Sequence, residues 1–299
     1  MLASVTVPIQ ASSLSVVIVS CNGRDHLARN VESLGVEPAA VTVVDNASSD
    51  GTVELLRERY PEVDLIALDE NRGYGTAANV GFATKKTPFV LLLNADVWAV
   101  DNAVERLVSC AEEHSDAGVV VPGFLDVAGR RQPSLIGFPS EWWLGRPPVT
   151  SAQGWSPPRW PPREAFAVGA ALLFRRAALD QTGGFDEDFF LFFEEVDLCR
   201  RLLDAGWSVR GCDEAQFVHV GGVSARRDWS RAYRVHIQSY LRYLAKHRGA
   251  AVAERARRRL LYAVRVRALL ARGADRKAFA DGAAWLRSGD ASALVRESI

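Results

Sequence analysis

The chain has 299 residues, of which 48% are hydrophobic, so it can bury a large core and is not disordered as a whole. Its 36 basic and 36 acidic residues cancel, which argues against a nucleic-acid partner. The charge is nevertheless uneven, because residues 224–299 hold 18 Lys and Arg against 6 Asp and Glu, a net +12 that the rest of the chain offsets.

The cysteines and the amino terminus favour a cytoplasmic protein. The four cysteines are scattered and form no C-x-x-C pair, so neither a zinc finger nor a disulfide framework is expected. Residues 1–13 look like a loose leader without the basic and apolar regions of a signal peptide. No segment approaches 18 uncharged apolar residues, so we expect no membrane-spanning helix.

Strands and helices alternate from residue 14 onward. Leu14–Ser20 is rich in β-branched residues and predicts a first strand. A helical apolar pattern at 25–34 and a second strand at Val41–Asp45 complete a βαβ unit. A loop and a helix then lead to a third strand at 63–68. This alternation predicts an α/β fold whose mostly parallel sheet is covered on both faces.

The most informative stretch is the apolar run 89–93, which stops at Asn94-Ala95-Asp96 and predicts a buried strand. Asp45 ends its own strand in the same way, so two carboxylates should meet at the sheet edge where ligands bind. There they could hold a divalent cation or a polar ligand. The alternative is that Asn94 and Asp96 only turn the chain, with Asp96 capping a helix that starts near Asp101.

A segment rich in glycine and small residues follows the third strand, at 71–81. Such residues let the backbone approach a ligand and then let a helix pack closely. Gly73-x-Gly75 is not a dinucleotide fingerprint, because no third glycine follows at the required spacing and the segment does not follow the first strand. A hydride-transferring Rossmann enzyme is therefore disfavoured.

The middle of the chain is less regular. A helix is expected at 101–113 and a short strand at 118–121. The composition then shifts to Pro, Gly, Trp and Arg over 126–162, which predicts a long, partly mobile loop. Its tryptophans either anchor the loop to the body or stack on a sugar: Trp142, Trp143, Trp155 and Trp160.

Regular elements resume with a strand at 166–174, a helix from Arg175-Arg176 to Gly183-Gly184, and short strands at 207–212 and 215–219. His219 ends the last strand before two glycines, and it is either structural or a metal ligand. Beyond Ser224 the chain is helical and rich in Arg and Ala. That tail either packs on the main domain or contacts anionic lipid.

Three carboxylates in four residues follow an apolar run of phenylalanines and leucine: Glu194, Glu195 and Asp197. At least one is expected at the rim of an apolar pocket, where burial raises its pKa. The alternative is an ordinary acidic first turn of a helix, which the helix dipole favours.

Five motifs in this order resemble the inverting family 2 glycosyltransferases with the GT-A fold, in their bacterial rhamnosyltransferase-like branch. They are VVDNASSDGT at 43–52, NRGYG to Asn at 71–79, LLNAD at 92–96, GGFD to EEVDL at 183–198 and HVGG at 219–222. The resemblance implies a Rossmann-like, mostly parallel sheet flanked by helices. It also implies a nucleotide-sugar half at 14–125, an acceptor-binding and catalytic half at 126–223 and a basic helical extension at 224–299.

By the same resemblance, Asp45 contacts the nucleotide base, and the other members of the nucleotide-sugar site are Asn46, Asn71, Gly73, Asn79, Asn94 and Asp96. Asn94-Ala95-Asp96 stands where the family usually has D-x-D, which leaves Asp96 as the metal-binding carboxylate. His219 matches a position that completes the metal or diphosphate site in some members. The implied cofactor is Mg²⁺ or Mn²⁺, bound less tightly than by two carboxylates.

The family's general base is the second residue of an E-D pair, here Glu195, with Glu194 as the alternative. The Asp-to-Glu change adds a methylene group that could move the carboxylate by about 1 Å. Asp197 is expected to orient Arg200 or Arg201 through an i,i+3 or i,i+4 helical pair.

The implied function is transfer of a sugar, with L-rhamnose from dTDP-rhamnose as one donor, to a hydroxyl of a glycan or lipid-linked acceptor of the cell envelope. The enzyme would then work in the cytoplasm or against the anionic inner face of the membrane. Two alternatives are a sugar-phosphate nucleotidyltransferase, for which residues 20–24 form only a poor phosphate loop, and a catalytically silent glycan-binding protein.

Overall fold

The structure, a computed structural model, describes residues 13–142, 164–221 and 228–288. Apart from Ser13, the predicted leader lies outside these residues, as do Trp143, Trp155 and Trp160 of the predicted loop. In the described ranges, strands and helices alternate through the first half of the chain, and three long helices follow the last strand.

One mixed sheet is the centre of the molecule. The strands are β1 (Leu14–Ser20), β2 (Val41–Asp45), β3 (Asp64–Ala67), β4 (Phe89–Asn94), β5 (Val97–Ala99), β6 (Ala117–Leu125), β7 (Arg131–Gln132), β8 (Leu135–Gly137), β9 (Ala165–Ala167), β10 (Ala171–Arg175) and β11 (Ser208–His219). Their order in the sheet is β3-β2-β1-β4-β10-β6-β11-β5, with β7 paired to β6, while β8 and β9 form a separate ribbon.

Helices pack around this sheet and extend it at the carboxyl end. They are α1 (Arg24–Ser33), α2 (Thr52–Arg59), α3 (Tyr74–Phe82), α4 (Ala103–Glu113), α5 (Arg176–Thr182), α6 (Glu194–Asp204), α7 (Trp229–Arg248), α8 (Ala250–Leu270) and α9 (Gly273–Ser288). None of the helices described is long and apolar enough to cross a bilayer.

The predicted α/β fold is confirmed, with a parallel half and a mixed half. Strands β3, β2, β1 and β4 are mutually parallel, as the βαβ alternation requires. Beyond β4, the strand β10 runs antiparallel to both of its neighbours, and β5 runs antiparallel to β11. The parallel half is buried throughout β1 and β2, which explains their continuous apolar sequences.

Gly81 lets α3 lie directly on the sheet. A Cβ at this position would lie 2.3 Å from Val17 Cγ1, so any larger residue would push the helix away from β1. The prediction that small residues in this segment allow a helix to pack closely is therefore confirmed.

Three predicted elements were wrong in detail. The predicted strand at 166–174 is two strands in different sheets, since the chain turns at Gly169, whose carbonyl oxygen accepts a hydrogen bond from Tyr74 Oη at 3.2 Å. The strands predicted at 207–212 and 215–219 are one strand, β11, with a register shift between Cys212 and Gln216. The described part of the loop predicted at 126–162 contains the short strands β7 and β8.

A second apolar core joins the carboxyl-terminal helices to the residues around α6. Phe189, Phe193 and Val196 pack there with side chains of α7, α8 and α9, among them Tyr240 and Leu260. The helical extension therefore contacts the acidic segment singled out in the sequence.

Candidate active site

The carboxyl ends of the parallel strands bring the first predicted residues to one edge. In the register of the sheet, Asp45 lies opposite Ser20 of β1, and Asn94 lies opposite Val19 on the other side of β1. Neighbouring strands are about 5 Å apart, so these two residues are separated by roughly 10 Å across β1. The expectation that the two strand ends share one edge of the sheet is confirmed.

Asp45 is buried at that edge with one carboxylate oxygen in use. Its Oδ2 accepts a hydrogen bond from the Ser48 N–H at 2.9 Å, while its buried Oδ1 has no partner among the described residues. Burial raises the pKa of Asp45, and the Ser48 hydrogen bonds oppose that shift. A buried acceptor without a partner is costly, so a ligand N–H at Oδ1 would relieve that cost.

Asn46 and Asn71 hold the loops around this edge. Asn46 Nδ2 donates to Asn71 Oδ1 at 2.9 Å, and Asn46 Oδ1 accepts from the Arg72 N–H at 2.9 Å. Asn71 Oδ1 also accepts from the Gly73 N–H at 3.0 Å. These contacts give both side chains a structural role in shaping the edge, and their predicted contact with a nucleotide sugar stays a prediction.

Gly73 permits a close approach between two loops. Its φ is +87°, and a Cβ there would lie 2.4 Å from the Phe190 carbonyl oxygen, which accepts a hydrogen bond from the Tyr74 N–H at 2.9 Å. Asn79 makes a similar link, because its side chain accepts from Phe185 N and donates to Phe185 O, both at 2.9 Å. Both residues thus join α3 to the segment that precedes α6, and a role for either in nucleotide-sugar binding stays a prediction.

Asp96 and His219 are brought together by a strand pair absent from the sequence prediction. Antiparallel pairing of β5 with β11 places His219 opposite Val97, and Asp96 Oδ2 lies 3.9 Å from His219 Nε2. Asp96 also accepts from two backbone groups that follow His219, Val220 N at 3.1 Å and Gly221 N at 3.2 Å. The alternative of a helix cap is wrong, because β5 follows Asp96 and the N-cap of α4 is Asn102.

These residues fit part of a site for a divalent cation. Burial lowers the pKa of His219, against the opposing effect of Asp96, so its imidazole is held in the neutral form that binds metals. Asn94 Oδ1 is a buried oxygen without a partner among the residues described, and a neutral amide oxygen is an acceptable ligand for a hard cation. The described residues contain no group of three His, Cys, Asp or Glu that could hold a metal by itself, so other ligands would have to come from a bound substrate or water.

The acidic segment begins at a strained turn. Phe192 and Phe193 have φ values of +65° and +68°, a left-handed conformation that costs a bulky residue roughly 1–2 kcal/mol. The Phe193 ring packs against His236, Tyr240 and Tyr243 of α7 at centroid distances of 5.1 to 5.9 Å. Packing against the carboxyl-terminal helices therefore holds the turn that starts α6.

Glu194 and Glu195 follow this turn with strongly perturbed acidities. Burial raises the pKa of Glu195 to about 7. Part of the residue is exposed, but its carboxylate oxygen Oε2 is buried and has no partner among the residues described. Burial, and then the neighbouring Glu195 charge, raise the pKa of Glu194 well above its usual value. The expected rise in pKa by burial is therefore present, in what is also an acidic first turn of a helix, while a pocket at this place stays a prediction.

Asp197 belongs to a cluster of ion pairs with basic side chains. It is fully buried, and it accepts hydrogen bonds from Arg201 at 2.8 Å and from His247 at 2.8 Å, with Lys246 Nζ at 2.7 Å. The expected i,i+4 pair with Arg201 is confirmed. Arg200 is not its partner, because that guanidinium lies on the surface with Asp204 and Glu164.

Tyr74 is a residue that the sequence analysis missed. Burial raises the pKa of its hydroxyl well above the usual value, and the charges of Glu194, Glu195 and Asp96 raise it further. One side chain therefore lies within electrostatic reach of both the acidic segment and the Asp96 strand end. An aromatic residue between two glycines, at 73–75, was the signal available in the sequence.

Comparisons with known proteins identify the family of the chain. Residues 15–183 match the family model for glycosyl transferase family 2. In an alignment 264 residues long, which covers 79% of this chain and 85% of the relative, the chain is 33% identical to the N-acetylglucosaminyl-diphospho-decaprenol L-rhamnosyltransferase of Mycobacterium tuberculosis. It is 24% identical to rhamnosyltransferase WbbL of Escherichia coli K12, over 78% of this chain and 93% of that one.

A solved structure shows the same fold at low sequence identity. The mannosyltransferase PcManGT from Pyrobaculum calidifontis, solved in complex with GDP-Man and Mn²⁺, superposes with a TM-score of 0.54 at 15% identity, covering 96% of this chain and 84% of that one. The fold of the chain is thus the GT-A fold.

Proposed function

Because the chain belongs to glycosyl transferase family 2 and is a glycosyltransferase, we propose that it moves one sugar from a nucleotide-diphosphate donor to an acceptor hydroxyl with inversion. Family membership argues against the two alternatives, a nucleotidyltransferase and a silent glycan-binding protein. The observation that carries the proposal is a set of contacts around Gly169, whose carbonyl oxygen accepts from Tyr74 Oη at 3.2 Å and whose added Cβ would lie 3.4 Å from Glu195 Cγ. The next carbonyl oxygen, that of Ala170, accepts from the Asn94 N–H at 3.0 Å, so the first turn of α6 lies beside the end of β4 that leads to Asp96.

Asp96 and His219 would hold a divalent cation on the donor diphosphate, with Asn94 as a neutral oxygen donor. When bound, such an ion supplies positive charge that offsets the charge developing on the leaving diphosphate. Asp45, through its unpaired Oδ1, would accept a hydrogen bond from an N–H of the base. The buried edge of the sheet supports these roles because it keeps the polar groups away from bulk water.

Glu195 would take the proton of the acceptor hydroxyl. A general base works best when its pKa lies near the working pH, and a pKa of about 7 meets that condition. Glu194 is the weaker candidate, because burial and then the neighbouring Glu195 charge raise its pKa well above the usual value and so favour its protonated form. The single displacement that follows would invert the anomeric carbon.

The relatives suggest the substrates. The relative from M. tuberculosis bears the name of an L-rhamnosyltransferase acting on N-acetylglucosaminyl-diphospho-decaprenol, and another from Shigella flexneri, 22% identical, is named a dTDP-rhamnosyl transferase. We infer the same substrate classes for this chain, namely dTDP-L-rhamnose and a polyprenyl diphosphate that carries N-acetylglucosamine. The reaction would then build a cell-envelope glycan on the cytoplasmic side of the membrane.

The test is product analysis with competing donors. The purified full-length chain is incubated with Mn²⁺, a short-chain N-acetylglucosaminyl diphospholipid, and an equimolar mixture of dTDP-rhamnose, UDP-N-acetylglucosamine and GDP-mannose. Mass spectrometry should show the gain of one deoxyhexose, and NMR of the product should show the inverted anomer. Transfer of another sugar would overturn the donor assignment, a retained anomer would overturn the single displacement, and no transfer would overturn the substrate classes.

A further inference from the structure

The outward face of α8 exposes an apolar stripe. Six large apolar side chains of the described residues are exposed to solvent, and four of them lie on this helix: Tyr262, Val266, Leu269 and Leu270. Leu269 and Leu270 are 80% and 79% exposed. The four positions follow an i, i+4, i+7, i+8 spacing, which places them on one side of a helix.

The opposite face of α8 already packs in the protein. Ala256, Leu260 and Val264 are fully buried in the second apolar core, about half a helical turn away from the exposed stripe. The helix is therefore apolar on two sides, although an ordinary surface helix is polar on the side that faces water. A contiguous exposed apolar stripe of this kind marks an interaction surface.

Positive charge borders the exposed stripe. Arg265 lies within the stripe's span on α8, while Arg272, Arg276 and Lys277 follow it in the chain. All four are exposed, and none of them forms an ion pair with another described residue. Between residues 265 and 277 the sequence has one acidic residue, Asp275. The arginines nearer the start of α8 are already engaged, because Arg255 and Arg259 lie near Glu141 and Arg258 pairs with Glu254. The free cations thus concentrate beside the apolar residues.

An exposed tryptophan lies on the same side of α8. Trp142 is 65% exposed, and the guanidinium of Arg259 stacks on its ring at 3.9 Å. Arg259 is seven residues before Val266, two turns along the same face of the helix. Tryptophan and tyrosine are the residues that favour the boundary between water and hydrocarbon, since one end of each is apolar and the other is polar.

We propose that this α8 face, formed by Tyr262, Val266, Leu269 and Leu270 with its cationic border, docks on an anionic lipid bilayer. An apolar stripe flanked by arginines matches such a surface, because the side chains enter the acyl boundary while the cations remain among the anionic headgroups. The inference rests on the proposed function in one respect, that a lipid-linked acceptor lies in the same membrane. It locates the docking surface on α8 and not on α7, where Arg242 and Lys246 pair with carboxylates in and before α6.

The test separates membrane docking from catalysis. Co-sedimentation of the full-length chain is measured on phosphatidylcholine vesicles with and without phosphatidylglycerol, for the wild type, for a Leu269→Ser/Leu270→Ser variant and for Val127→Ser. Val127 is a matched control, since it is 70% exposed in the turn between β6 and β7, away from α8. The wild type should bind the anionic vesicles, the double variant should bind at least about tenfold more weakly, and the control should match the wild type.

Sugar transfer to a short-chain acceptor in detergent should be equal in all three proteins, which distinguishes failure of docking from failure of the proposed function. The proposal is overturned if the wild type does not bind anionic vesicles, or if the double variant binds them as well as the control does. It is also overturned if the double substitution converts a dimer into a monomer in sedimentation velocity and leaves vesicle binding unchanged. The molecule that covers the α8 face would then be a second copy of the chain. If the double variant binds vesicles like the wild type and limited proteolysis in solution does not cut the α8 face, the occupant of that face would instead be residues 289–299.

Discussion

Replacing Glu195 by glutamine tests the assignment of the base most directly. The substitution keeps the size of the side chain and its contact with Gly169, where Glu195 Cγ lies 3.4 Å from the position of an added Cβ, but it removes the ability to take a proton. We expect turnover to fall by at least about 10²-fold, the usual contribution of a positioned general base. Donor binding, measured by calorimetry, should be nearly unchanged.

The pH dependence of the wild type provides a second measurement. With a pKa of about 7, Glu195 is protonated in most molecules at acidic pH. The value of kcat/KM should therefore rise about tenfold per pH unit below pH 7 and level off above it. A profile that stays flat between about pH 5.5 and about pH 8.5 would refute the reasoning, because no group of the free enzyme would then need to lose a proton.

Protein stability gives a reading that does not depend on activity. The folded pKa of Glu195 lies above the value of 4.5 expected in the unfolded chain, so this carboxyl favours the folded state below pH 4.5 and that contribution is lost as pH rises through 7. A shift of this size corresponds to at most about 3 kcal/mol, less because the side chain is partly exposed. The Glu195→Gln variant should escape this loss, and urea unfolding should find it more stable than the wild type at pH 8.

Glu194→Gln is the matched control for this prediction. Glu194 is buried, and burial and then the Glu195 charge raise its pKa well above the usual value, which favours the uncharged form and makes an amide a close substitute. Its turnover should remain within a few-fold of the wild type. If Glu194→Gln abolishes turnover while Glu195→Gln remains active, the base is the other residue of the pair.

Three further substitutions probe other parts of the site. Asp96→Ala should abolish the Mn²⁺-dependent part of nucleotide-sugar binding, and unchanged calorimetric affinity with the metal present would contradict its role. Gly73→Ala should lower the free energy of unfolding by more than about 1 kcal/mol, because the added methyl group would clash with the Phe190 carbonyl oxygen and the residue has a positive φ. A free energy of unfolding in urea equal to that of the wild type would argue against this contact. Asp197→Ala should cost about 3–5 kcal/mol, because it removes the buried carboxylate that pairs with Arg201 and Lys246. A loss below about 1 kcal/mol would show that water replaces the carboxylate.

The parallel half of the sheet could be predicted because its information is local. Strands such as β1 and β4 are continuous apolar runs that end at polar turn residues, and their burial in the sheet is what such runs predict. The position of Asp45 and Asn94 at one edge followed from the strand ends alone. These features need no knowledge of which distant segment packs nearby.

The Asp96–His219 pair could be suggested only by resemblance, because its geometry depends on distant pairing. Strand β5 has three residues, too few for a periodic pattern, and its partner β11 lies more than a hundred residues later in the chain. The strained turn at Phe192 and Phe193 was equally hidden, since aromatic residues seldom adopt positive φ. Tertiary packing against α7 stabilises that turn, and no local preference of the sequence indicates it.

The charge asymmetry of the chain has a structural explanation in α7. Burial raises the pKa of Asp186, but the Lys246 ammonium at 2.6 Å, the Asp188 N–H and the Arg201 charge together hold that pKa below its usual value. Arg242 pairs with Asp188 at 2.6 Å, and Lys246 also reaches Asp197 in the first turn of α6. These contacts end on the segment that carries Glu195, so α7 is an internal brace for the acidic site.

A basic tail can pair with acidic residues of the same protein or be attracted to an anionic lipid surface, and α7 has the first of these roles. Cations that pair inside the protein have already lost much of their hydration and are compensated by buried carboxylates, so they contribute little to attraction by a lipid surface. Four other cations, Arg265, Arg272, Arg276 and Lys277, form no ion pair with another described residue, and they remain available. A change at Asp197 should therefore alter activity on a short-chain acceptor without a membrane, whereas a change at Leu269 should alter only vesicle binding. If both changes acted on the same property, the tail would have to be treated as one unit and the division between an inward α7 and an outward α8 would be wrong.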